Sequence, residues 1–198
     1  MNHQTYRPSR PPMMPSALAD FASAIMRNAE DIGRNFTRPD SDWTMMFFAM
    51  GGHSPAICSI ILSCPEDKDR LPAALTDIVR KTGATRTALI TSCWMVETKT
   101  TNPAAAELTV QACNEFGVSN HPERFEVLQL GVADAPDEWR EWSQSECASE
   151  VYQAKITRHA DTPPTLGEWV KQPGTQPGTQ WTGRMARICA RALANGRE

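Results

Sequence analysis

Long apolar runs are missing from this sequence. No stretch approaches the roughly 18 apolar residues that a membrane helix needs, so a water-exposed protein is expected. The opening "MNHQTYRPSRPPMMPS" lacks the apolar centre of a secretory signal, which points to a cytoplasmic chain. Strong charge of either sign is missing too. The 198 residues carry a formal net charge of −3, and nothing of that size forces a nucleic-acid or membrane partner. A cysteine framework set among turns is also absent. The six cysteines lie mostly inside apolar stretches and read as reduced, small hydrophobes.

What charge there is lies unevenly. Residues 1–38 sum to +2, residues 39–180 to −8 and residues 181–198 to +3. An acidic body thus has basic ends. The four arginines of the last segment could neutralise only a few phosphates, so nucleic-acid binding there would be weak and salt-sensitive.

Four prolines within residues 1–15 predict a mobile tail. Ser16 suits the cap of a helix reaching about Phe36, because Leu18, Phe21, Ala22, Ile25, Ala29, Ile32 and Phe36 recur at helical spacing. Two apolar runs, 43–50 and 56–63, flank Gly51-Gly52 and predict a β-hairpin. A second helix is expected to begin near Pro72 and stop at Gly83, since a deeply internal proline costs about 3 kcal/mol. Residues 86–96 and 125–134 read as strands, as do 138–146 and 150–159, the last two as a hairpin. Residues 103–116 fit either a helix capped by Asn102 or an ordered loop. "QPGTQPGTQ" at 172–180 cannot pack and reads as a linker, followed by a short basic amphipathic helix that would be marginal alone.

The expected fold is therefore α+β: a mainly antiparallel sheet of five or six strands covered by two helices on one face, with a flexible N-terminal tail. The organisation expected is a tail over 1–15, one domain over 16–170, a Pro/Gly linker over 171–181 and the tethered helix over 182–198.

No motif reaches a catalytic signature, and no catalytic residue, metal ligand or cofactor is assigned. "GHSPA" at 52–56 resembles a nucleophile elbow, but Pro55 follows the serine, Ala56 replaces the last glycine and a strand follows where a helix is needed. A hairpin turn accounts for it. Cys93 beside Trp94 is either a buried thiol or, if exposed and electropositively placed, a reactive one. Trp139 and Trp142 read as packing residues. Trp169 and Trp181 flank the linker, where tryptophan suits a contact with a partner.

"SNHPERFEVLQLGVAD" at 119–134 places a turn directly before a strand. His121, preceding Pro122, is pushed toward extended geometry, and Asn120 and Pro122 favour a bend. Preceded by a strand ending in "TSCWM" and followed by "ITRHADTPPTLGEW", this order of motifs resembles a group of small bacterial and phage proteins with no known activity. The resemblance covers about residues 40–170; Cys93 and a long 99–118 excursion depart from the pattern. It implies no reaction and carries over no catalytic residue.

The expectation is thus a non-enzymatic accessory or interaction protein of a phage or mobile element. It would act through protein contacts in the cytoplasm of a bacterium or an infected host. The alternatives are a hydrolase or small-molecule binder around His121 and weak nucleic-acid binding through the basic termini. The candidate binding residues are His121, Arg124, Glu126, Trp94, Trp169 and Trp181.

Overall fold

The computed structural model describes residues 17–64, 66–97, 102–135, 148–172 and 182–196. Helix α1 spans Ala17–Arg34, β1 Met46–Met50, β2 Ala56–Ser59, α2 Asp67–Thr82, β3 Arg86–Met95 and α3 Pro103–Phe116. Then follow β4 Phe125–Asp134, β5 Ala148–Thr157, β6 Thr165–Lys171 and α4 Thr182–Asn195. The strands form one six-stranded sheet in the order β2-β1-β3-β4-β5-β6, antiparallel throughout. The α+β class with a mainly antiparallel sheet is as expected from the sequence.

Helices cover both faces of the sheet, not one. Even-numbered positions on β1, β3 and β4, such as Phe48, Ile90, Leu128 and Leu130, form a core with Leu18, Ala22, Ile25 and Ala29 of α1. Odd-numbered neighbours, such as Phe47, Leu89 and Ala133, form a second core with Leu75 and Val79 of α2 and Cys189, Ala190 and Leu193 of α4. A strand buried on both faces has no polar side to alternate with. That is why "FEVLQLGVAD" alternates so imperfectly: β4 is buried from Glu126 to Asp134.

The C-terminal helix is the largest correction. It belongs to the same core as residues 16–170 and is not a tethered appendage. Thr87 Oγ1 donates to the Cys189 carbonyl at 3.1 Å, and Cys189 Sγ donates to the Gly131 carbonyl at 3.4 Å. A helix of this length is marginal in water, but burying its apolar face on the sheet removes that limit. Among the described side chains of α4, Arg187, Arg191 and Asn195 are exposed.

Helix α2 begins five residues before Pro72. The proline forfeits a hydrogen bond to the Lys68 carbonyl, in an exposed first turn where the loss costs least. The entry is held by Asp67, whose carboxylate accepts from the Ser63 and Cys64 amides at 2.8 and 3.1 Å. Residues 103–116 are helix: Asn102 Oδ1 accepts the Ala104 amide at 3.1 Å, with Pro103 in the first turn. Strand β6 goes beyond the sequence reading, and β5 pairs with β4 on one side and β6 on the other. Lys171 therefore ends a strand, and the Gln172 amide still bonds the Val151 carbonyl at 2.8 Å. The expected tail over 1–15, the strand over 138–146 with Trp139 and Trp142, and the linker over 173–181 lie outside the described residues.

Candidate functional site

The turn before β4 forms as its residue types dictate. The Arg124 amide donates to the His121 carbonyl at 3.2 Å, closing a four-residue turn, and His121 is extended at φ −72°, ψ 133°. His121 Nδ1 accepts the Glu123 amide at 3.2 Å, so this histidine braces its own turn. The turn delivers Arg124 to the end of the sheet, where its guanidinium carbon sits 5.0 Å from the centroid of the Trp94 ring. Both side chains are exposed, Trp94 at 43%. Stacking of this kind contributes about 0.5–1 kcal/mol at an exposed site and fixes the orientation of the guanidinium.

Directly across from Trp94 in the β3–β4 register stands Glu126. It is buried, and a lone carboxylate there would be costly. Arg158, two residues beyond the Ile156 that faces Glu126, supplies the partner: Nε to Oε2 at 2.6 Å and Nη2 to Oε1 at 2.7 Å. The same guanidinium reaches Asp42 Oδ1 at 3.1 Å and donates to the Ser41 carbonyl at 3.0 Å. Arg158 therefore ties the loop after α1 to the sheet. Its hydrogen bonds to Glu126 raise its pKa above the ordinary arginine value despite partial burial, so it stays charged at any working pH.

Successive residues of a strand point to opposite faces, so Cys93 and Trp94 share no pocket. Burial pushes the Cys93 thiol up to about 11, with the Glu126 charge adding to the shift. At neutral pH it is a thiol and a poor nucleophile. On its face Lys155 lies 5.9 Å from the Phe125 ring centroid.

The structure thus gathers His121, Arg124, Glu126 and Trp94 at one corner and leaves Cys93 out. Trp169 stands apart, opposite Ala154 on β5, half-buried and packed on the α1 core; Trp181 is outside the described residues. Arg158 and Asp42 are the members the sequence reading missed. Their only trace was a glutamate among apolar strand positions, which demands a cation without saying which one.

The "GHSPA" segment is structural and lies at the other end of the sheet, beyond Met50, the register partner of Arg86. The His53 amide donates to the Thr82 carbonyl at 3.1 Å at the end of α2. A Cβ on Gly52 would sit 2.2 Å from that carbonyl oxygen, so only glycine lets the turn dock there. Among the described residues no group of three or more His, Cys, Asp or Glu side chains could hold a metal ion, and no helix is long and apolar enough to cross a membrane. Compared with protein-family models, with curated proteins and with solved structures, the chain finds no match.

Proposed function

We propose that this chain is a non-enzymatic accessory or interaction protein that acts through protein contacts, with the Trp94–Arg124 corner as its contact surface. The resemblance to small bacterial and phage proteins supports a setting in a phage or mobile element. The observation that carries the reading is the exposed guanidinium stacked on an exposed indole at 5.0 Å. Tryptophan and arginine dominate the energetics of protein interfaces, and a pre-oriented pair loses little side-chain freedom on docking. The supports are rigid: Trp94 and the turn bearing Arg124 sit on the two central strands, and Glu126 beneath them is locked to Arg158. Arg124 makes no ion pair among the described residues, so its outer edge is open to a carboxylate of the partner.

The test is a cross-linked capture from the lysate of infected bacteria, with wild type beside a Trp94→Ala/Arg124→Ala double variant. The expected result is a stoichiometric partner bound by wild type and weakened at least about 30-fold by the double change, as for a hot spot worth 2 kcal/mol. The variant should keep its stability to within about 0.5 kcal/mol, as surface changes do. Equal recovery by both proteins, or nothing stoichiometric with either, would sink the reading.

A further inference from the structure

Between α1 and β1 lies a cavity of about 250 Å³. Ile32, Phe36, Trp43 and Met46 give it an apolar wall. Phe36 and Trp43 meet edge-to-face, with centroids 4.8 Å apart and planes at 70°. The Trp43 indole N–H is already given to the Ala29 carbonyl at 2.8 Å, so this residue offers the cavity ring surface and no donor. Of its lining residues Asn28, Asp42, Thr44 and Ser59 are exposed, and Asp42 is the one that carries a charge.

The charge around Asp42 is not balanced. Arg158 answers two carboxylates, Glu126 with both ends of its fork and Asp42 with one nitrogen. One negative charge is left in excess. Arg124, the other cation of this corner, is held over Trp94 and pairs with neither carboxylate. Asp42 Oδ1 accepts the Trp43 amide at 2.8 Å as well as facing Arg158, while Oδ2 takes no hydrogen bond among the described residues.

We propose that this cavity binds a small amine, its ammonium on Asp42 and its apolar body against Phe36, Trp43, Ile32 and Met46. A carboxylate beside aromatic rings recognises an ammonium twice over, by charge and by the negative ring faces. The volume sets the size of the guest. An engineered cavity of about 150 Å³ accepts benzene, so 250 Å³ suits an aromatic ring bearing a short aminoalkyl arm. The site shares Asp42 with the ion pairs beneath Trp94, but its other lining residues lie apart from the contact surface proposed there, and Ser59→Phe tests it without touching that surface.

The experiment is saturation-transfer NMR on the full chain with three probes of one size: phenethylamine, ethylbenzene and phenylacetate. Phenethylamine should bind saturably, at least about ten-fold tighter than ethylbenzene, a difference of 1.4 kcal/mol, with phenylacetate weakest. Asp42→Asn should bring the amine down to the level of ethylbenzene. Because that change also touches Arg158, Ser59→Phe serves as a second variant: it fills the cavity from an exposed strand position and leaves the ion pairs alone. It should weaken amine binding at least ten-fold. Equal binding of the amine and ethylbenzene overturns the proposal, as does no saturable binding of the amine, or amine binding unchanged in either folded variant.

Discussion

Leu193→Ala tests whether α4 belongs to the folding unit. Leu193 is 1% exposed and packs in the core that holds Leu75, Val79 and Leu89. The substitution removes three carbon atoms. At about 0.8 kcal/mol each, the transfer term alone is about 2.4 kcal/mol. The cavity left behind adds to this, because Leu89 and Val79 belong to a rigid strand and helix that collapse only in part, so about 3–4 kcal/mol is expected. For a chain of this size that lowers the melting midpoint by roughly 6–16 °C. Ile25→Ala, in the core on the opposite face, should cost a similar 2–5 kcal/mol. Leu108→Ala, at a position 66% exposed on α3, should change stability by less than about 0.5 kcal/mol. Urea melts followed by circular dichroism provide the measurement, with all variants keeping the wild-type slope. A Leu193→Ala midpoint equal to wild type, or an early transition in which one helix melts off alone, would refute the claim that α4 and the sheet form one cooperative unit.

Two further outcomes follow from the other end of the sheet and from the buried thiols. Gly52→Ala should cost about 1–3 kcal/mol because its Cβ meets the Thr82 carbonyl, while Ser54→Ala, in the same turn but exposed, should be nearly neutral; the reverse order in thermal melts would restore a special role for the serine. Burial pushes the Cys189 thiol up to about 12, against about 8.5 in an unfolded chain, so the stabilisation is complete below pH 8.5 and is lost as pH rises toward 12. At pH 10.5 that is two pH units, or about 2–3 kcal/mol, and Cys93 acts in the same direction; urea melts at pH 8 and 10.5 should show a smaller loss in Cys189→Ala, and identical losses would refute the assignment.

The sequence by itself determined the local elements whose signals are local. The spacing of Leu18, Ala22, Ile25 and Ala29 fixes a helix with one apolar face, and "GG" between two apolar runs fixes a hairpin. The His121–Arg124 turn follows from His-Pro chemistry, whereas Asn102, Pro103 and Gly117 left residues 103–116 open between helix and loop until the fold decided for α3. Pro72 misled because a proline penalty depends on where the freed carbonyl lies, and here it belongs to the exposed Lys68 near the start of the helix. The rest was decided by contacts between residues far apart in the chain. Cys189 lies 102 residues from Thr87, and only their apposition turns a marginal helix into half of a core. Placing helices on both faces depended on β4 being central, which strand composition does not state. The candidate site divides the same way. Trp94, Arg124 and Glu126 were legible as exposed or misplaced residue types, but Arg158 and Asp42 were not. A buried carboxylate requires a cation, and which cation arrives is set by sheet register and by the path of the loop after α1, quantities that exist only once the chain has folded.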